Sequence, residues 1–164
     1  GRCQIYNKKN GGIIIVDYAH TPDAFKKILS TIKNINPKNK IITLFGCGGN
    51  RDKDKRPIMA KISENISYKT IITNDNPRDE NPEEIIKQII SGFKKENYKI
   101  INNREEALKE GVRDLNKNQV LVVLGKGIEN YQIIKNKKIY HNDLEIIERL
   151  IWELKLKKKI YLKI

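Results

Sequence analysis

Val120-Leu121-Val122-Val123-Leu124, halted by Gly125-Lys126-Gly127, is the most apolar strand-like run in the chain. A strand with no polar face is what the centre of a parallel sheet needs when helices cover both sides. Working outward, β-branched runs alternate with helical periodicity. Ile13-Ile14-Ile15-Val16 precedes Thr21-Pro22, an N-cap with proline at the first helical position. Phe25, Ile28, Leu29 and Ile32 then share one helix face. Ile41 to Phe45 is a second strand, stopped by Gly46-Cys47-Gly48-Gly49, and Ile58, Met59, Ile62 and Ile66 line the next helix. Thr70 to Thr73 is a third strand, broken by Asp75-Asn76-Pro77-Arg78. Asn81-Pro82-Glu83-Glu84 opens a helix that reaches Phe93. A short strand at Lys99-Ile100-Ile101 leads to a helix capped by Asn103 and running through Leu115. Beyond the apolar strand, Gln132-Ile133-Ile134 and Lys138-Ile139-Tyr140 flank Lys135-Asn136-Lys137 as a hairpin, and a last helix carries Leu144 to Leu154. The expectation is one α/β domain over residues 1–154, with a lysine-rich tail at 155–164. Its sheet is mostly parallel, of about six strands, with right-handed crossovers and helices on both faces.

The 164 residues carry 33 Lys+Arg against 20 Asp+Glu, a formal net charge of +13, which raises a nucleic-acid partner for consideration. Lysine, isoleucine and asparagine together make 73 residues, the joint excess that AT-rich codons produce. Apart from Lys155, Lys157, Lys158, Lys159 and Lys163, the lysines are scattered, and no basic strand is studded with aromatic rings. A solvated surface under compositional drift is therefore preferred to a nucleic-acid footprint. Apolar residues make 38% of the chain, too many for disorder, and no run approaches the ~20 residues of a membrane helix. The chain begins at Gly1, its one methionine is Met59, and nothing near its start resembles a signal peptide. The expectation is a cytoplasmic domain cut from a longer polypeptide. Cys3 and Cys47 are too few for a disulfide scaffold or a zinc site of about four ligands.

Ligands of open α/β sheets bind beyond the carboxyl ends of the strands. Four loops gather polar residues and glycines there: Asp17 to His20, Gly46 to Arg56, Asp75 to Arg78, and Gly125 to Glu129. The dinucleotide fingerprint fails, because Arg51 stands at the sixth position counted from Gly46, and there is no P-loop. Gly46 to Gly49 serve either tight turns or a ligand. Asp75 and Arg78 either bridge each other across a turn or receive the ammonium and carboxylate of an amino-acid headgroup. His20 is either a base or a contributor to the following helix cap, with no obvious nucleophile nearby. Cys47, near cationic residues, is a place where a lowered thiol pKa is conceivable, although no histidine is close in sequence to support catalysis. Trp152 and Tyr140 read as core or edge packing, and Tyr131 as a cover over the site.

Taken together the loops are far more specific. Val16 to Asp23, Phe45 to Asp52 with Lys55-Arg56-Pro57, Asp75 to Arg78, and Gly125-Lys126-Gly127 with Glu129, Tyr131 and Gln132 occur in one order. From about Gly1 to Leu150 they closely resemble the C-terminal domain of the Mur ligases, of the type that adds the third amino acid of the peptidoglycan stem peptide. The resemblance implies a Rossmann-like fold and the last of three domains in a bacterial, ATP-dependent amide ligase. The absent N-terminal domain would hold the UDP-N-acetylmuramoyl-dipeptide, and the absent central domain ATP and Mg2+. An acyl phosphate would form there and be attacked by the amine that this domain presents on closing. By the same resemblance this domain holds no confident catalytic residue and no metal ligand, so the isolated chain should not turn over.

The Asp75-Asn76-Pro77-Arg78 loop resembles that of enzymes adding meso-diaminopimelate, whose side chain ends in a second amino-acid group. The resemblance implies that Arg78 clamps the distal carboxylate with Asn76 beside it, while Asp75 helps to hold the motif that includes Pro77. Arg51, Gly125 and Glu129 would complete the pocket, Glu129 facing the distal ammonium. A buried charge left unpaired would disfavour lysine by on the order of several kcal/mol. Asp17 and His20 would face the nucleotide, and Arg2 would sit near the interdomain hinge. Two departures stand out: the family usually has aspartate at Asn50 and histidine at Ile128. The competing readings are a lysine-adding ligase or folylpolyglutamate synthetase domain, against which Arg78 argues, and a stand-alone basic module for nucleic acid.

Overall fold

The computed structural model describes residues 3–135 and 137–161, with side chains described through residue 154. The expected hinge residue Arg2, the hairpin residue Asn136 and the side chains of the lysine-rich tail lie outside the described residues. In chain order the elements are β1 (Gln4–Asn7), β2 (Ile13–Asp17), α1 (Pro22–Ile35), β3 (Lys40–Phe45), α2 (Lys55–Ile66), β4 (Lys69–Ile72) and α3 (Pro82–Ile90). They continue with β5 (Tyr98–Ile100), α4 (Arg104–Asp114), β6 (Gln119–Leu124), β7 (Tyr131–Ile134), β8 (Lys137–Tyr140) and α5 (Asp143–Tyr161). The caps read from the sequence are formed: the side chains of Thr21, Asn81 and Asn103 accept from the amides of Ala24, Glu83 and Glu106.

The main sheet has six strands in the order β1-β2-β6-β3-β4-β5. β2, β6, β3, β4 and β5 run parallel, and β1 pairs antiparallel with β2 at the edge. β1 has no counterpart in the sequence reading, because its four residues are largely exposed and show no apolar run. The expected hairpin is present as a separate antiparallel pair, β7-β8. β6 inserts between β2 and β3, so its alternating side chains feed two cores. Val120, Val122 and Leu124 pack with Phe25, Leu29, Met59 and Ile86 of the first three helices. Leu121 and Val123 pack with Leu108, Val112, Ile147 and Leu150 of α4 and α5. Each such side chain, fully buried, contributes about 1.5–3 kcal/mol relative to exposure. Trp152 and Tyr140 do not pack as expected; they are 61% and 67% exposed.

One charged pair is built into this frame. Arg104, the first residue of α4, is wholly buried and donates to both carboxylate oxygens of Asp143 (2.7–3.2 Å) and to the carbonyl of Leu124 (3.1 Å). His141 Nε2 donates to Asp143 Oδ1 at 2.7 Å. Burial alone would raise the Asp143 carboxyl, but the Arg104 charge and these hydrogen bonds hold it well below the usual carboxylate range. The triad ties the starts of α4 and α5 to the end of β6, where the Gly125–Glu129 loop begins. Arg104→Met should destabilise the chain by about 3 kcal/mol or more, because it leaves the Asp143 carboxylate in the interior without its guanidinium and with only His141 beside it. Urea denaturation measures this, and a loss below 1 kcal/mol would contradict it.

Candidate functional site

The four loops named from the sequence converge at the carboxyl ends of β2, β6, β3 and β4, and two glycines bring the middle pair together. A Cβ on Gly46 would collide with the carbonyl oxygen of Thr73, and one on Gly49 with that of Pro77. Gly49 N donates to the carbonyl of Asn76 at 2.9 Å. These glycines therefore serve a close approach of two backbones. Buried Arg56 locks the same junction from behind: its guanidinium donates to Glu80 (2.8 and 3.1 Å), Gln88 (2.6 Å) and the carbonyl of Gly48 (2.9 Å). Glu80 also accepts from Asn50 N at 2.5 Å. The hydrogen bonds from Arg56, helped by that from Asn50, draw the Glu80 carboxyl down to about 2.

Arg78 sits at φ +51°, a region that a non-glycine residue enters at a cost of about 1–3 kcal/mol. The hairpin holds it there, since Arg78 N donates to Ile133 O (2.9 Å) and Lys135 N to Arg78 O (2.7 Å). Its Nη1 donates to the carbonyls of Gly49 (2.9 Å) and Asn76 (3.4 Å). Among the described residues no ion pair joins it to Asp75, so the turn-bridging alternative falls. Nε and Nη2 have no protein partner among the described residues.

Asn76 is fixed on three sides. Its Oδ1 accepts from Ile133 N (2.9 Å) and Lys126 Nζ (3.2 Å), and its Nδ2 donates to Glu129 Oε2 (3.1 Å). Lys126 Nζ also pairs with Glu129 Oε2 at 3.0 Å, while Tyr18 OH donates to Oε1 at 3.4 Å. Burial and the neighbouring Glu129 charge raise the Tyr18 phenol, keeping it a donor. Gln132 Nε2 holds the carbonyl of Asp75 at 2.8 Å.

Tyr18, Asp75, Asn76, Arg78 and Glu129 are among the residues that line a cavity of about 480 Å³. Its lining includes Arg51, Lys55 and Arg78 together with Asp52, Asp75 and Glu129, and also His20, Gly125 and Tyr131. Equal numbers of cations and carboxylates suit a zwitterion better than a polyanion. Of the residues expected at an amino-acid pocket, only Pro77 is not on this wall; its carbonyl meets Gly49, and it borders a smaller cavity with Arg104. Asp17 lies in an adjoining groove of about 550 Å³ along α1, which His20 shares. Both Asp17 oxygens are taken, by the amides of Cys3 (3.0 Å) and Ala19 (2.8 Å). His20 Nδ1 donates to the carbonyl of Tyr18 at 2.9 Å. Cys47 does not have a lowered thiol pKa: burial pushes it up to about 12, which leaves it an inert wall of the cavity. Sequence reasoning gave no role to Lys126, Arg56 or Glu80. Arg56 and Lys126 stood inside quoted motifs, and a lysine between two glycines was the available signal.

Residues 1–127 match the family described as Mur ligase, glutamate ligase domain. A UDP-N-acetylmuramoyl-L-alanyl-D-glutamate--2,6-diaminopimelate ligase 1 of Clostridium acetobutylicum is 47% identical over 156 residues, covering 94% of this chain and 32% of the relative. A ligase of the same activity from Rickettsia rickettsii is 50% identical over 152 residues, covering 92% of this chain and 31% of the relative. A solved structure of a UDP-N-acetylmuramoyl-L-alanyl-D-glutamate--2,6-diaminopimelate ligase aligns with TM-score 0.87 at 35% identity, covering 94% of this chain and 32% of that one. The chain thus spans about a third of the length of the relatives it matches.

The Arg56–Glu80 lock should be acid-sensitive. With the Glu80 carboxyl near 2 in the folded chain against an ordinary 4.5, its contribution is complete above about pH 4.5 and is lost as pH falls toward 2. The stability advantage of the wild type over Glu80→Gln should therefore shrink between pH 6 and pH 3 in urea titrations. An advantage independent of pH would contradict the lock.

Proposed function

The chain belongs to the Mur ligase, glutamate ligase domain family, and from that premise we propose that it is the amino-acid-presenting domain of an ATP-dependent ligase. That ligase would add meso-diaminopimelate to UDP-N-acetylmuramoyl-L-alanyl-D-glutamate through an acyl phosphate, in peptidoglycan synthesis. The observation that carries the reading is the pairing of Arg78 and Glu129 on one wall through Asn76. The distal end of meso-diaminopimelate carries one carboxylate and one ammonium. Arg78 offers its unpartnered Nε and Nη2 to the carboxylate, in the parallel geometry a guanidinium favours. Glu129 accepts from the ammonium. The relatives' names and the match of 94% of the chain to a solved ligase support the same choice.

The chain's own part is to hold and orient the nucleophile. Once the distal group is anchored, the reacting amine stands at the open side of the cavity, and positioning supplies rate by replacing a bimolecular encounter. The residues here do not fit a nucleotide phosphate or a metal. Gly46 and Gly49 are occupied by backbone contact, and among the described residues no group of three or more His, Cys, Asp or Glu is placed to hold an ion. We therefore assign ATP, Mg2+ and the UDP-sugar mainly to the part of the ligase outside this chain, with Asp17 and His20 facing the nucleotide from the α1 groove. Among the described residues no helix is long and apolar enough to cross a membrane. A cytoplasmic site of action follows from the substrates.

In the full-length ligase, Arg78→Ala should lower kcat/KM for meso-diaminopimelate by about 100-fold or more, the scale of a lost charged hydrogen-bond pair. It should also erode discrimination against L-lysine. Competition assays with the two amino acids measure both, and a variant with wild-type discrimination would contradict the proposal.

A further inference from the structure

Lys126 is the residue of the site that neither the cavity wall nor the proposed substrate explains. Its side chain is 0% exposed, whereas that of its partner Glu129 is 21% exposed. Its ammonium meets Glu129 Oε2 at 3.0 Å and Asn76 Oδ1 at 3.2 Å, and lies 5.6 Å from the centre of the Tyr131 ring. An exposed lysine would neutralise Glu129 at far less desolvation cost, and a buried ion pair is weak as a stabilising device. What burial adds is a positive charge fixed behind the pocket, where water screens it little. It also leaves the Asn76 amide only one orientation, with its donor toward Glu129.

We propose that Lys126 is a specificity-determining residue: its buried ammonium sets the charge and aim of Asn76 and Glu129, so that the pocket prefers an amino acid ending in both a carboxylate and an ammonium over one ending in an ammonium alone. Two such side chains differ by one negative charge at their far end. Lys126 supplies one positive charge at that end without touching the ligand. Removing it would shift the pocket by one unit toward the more cationic amino acid. This inference rests on the functional reading above and deepens it.

The test uses the full-length ligase with meso-diaminopimelate and L-lysine as competing substrates. Lys126→Met keeps the bulk of the side chain and removes its charge. It should reduce the ratio of kcat/KM for meso-diaminopimelate over lysine about tenfold, the effect being carried by KM while kcat for each amino acid stays within about twofold. Adding Glu129→Gln removes one negative charge as well and should move the ratio back toward wild type, which repair of a merely structural defect would not do. A ratio unchanged in Lys126→Met, an equal loss for both amino acids, or a double variant with the single variant's ratio would each overturn the role of Lys126. Should the methionine variant fail to fold, Lys126→Gln, which keeps a donor toward Asn76, carries the same comparison. A wild-type ligase that does not use meso-diaminopimelate would instead sink the functional reading. A wild type that does, beside a Lys126 variant of unchanged ratio, removes this inference alone.

Discussion

Gly46 and Gly49 let the loop after β3 run against the carbonyls of Thr73 and Pro77, and a side chain at either position would drive the two loops apart. Much of the site depends on that approach. It puts the carbonyls of Gly49 and Asn76 where Arg78 Nη1 finds them, and it turns Asn76 toward Glu129. The hairpin β7-β8 then clasps Arg78 from the other side, compensating for its positive φ. The strain at Arg78 is local, and the means of holding it come from two distant segments, which is the usual arrangement where a functional side chain must point one way.

A second theme is that the site's charges are set from behind. Arg56, Arg104 and Lys126 are fully buried, and each has a carboxylate partner: Glu80, Asp143 and Glu129. The sheet's own cohesion comes mainly from the two apolar cores on either side of β6. The common position of the three pairs is the carboxyl end of the strands, where each pins a loop to its neighbour. A ligand entering the cavity meets groups already oriented, so little reorganisation is left for binding to drive. The cavity walls are balanced in charge although the chain's net charge is +13, because the excess lysines lie elsewhere on the surface.

Much of this architecture is legible in the chain. β6 reads as a central strand because every residue from Val120 to Leu124 is apolar, and all five are buried. The caps at Thr21, Asn81 and Asn103 read correctly because capping is decided within three or four residues. β1 escapes notice because an exposed edge strand needs no apolar pattern. Arg104 carries no local signal of its role, since its partner Asp143 is 39 residues away and only packing brings them together. Cys47 misled for a related reason: sequence shows cations nearby but not the burial that outweighs them. The residues that line the cavity were legible through the order of four loops, whereas the residues that orient them were not, because positioning is a tertiary property.

On the proposed function, the pocket at the ends of β3, β4 and β6 is built for the distal end of a side chain bearing both charges. Amide NMR spectra of the chain titrated with meso-diaminopimelate, and separately with L-lysine, address it directly. Such a pocket predicts saturable shifts concentrated in residues 46–51, 75–78 and 125–131 with meso-diaminopimelate, and much weaker ones with lysine at equal concentration. Equal responses to the two amino acids, or shifts centred away from those loops, would contradict it.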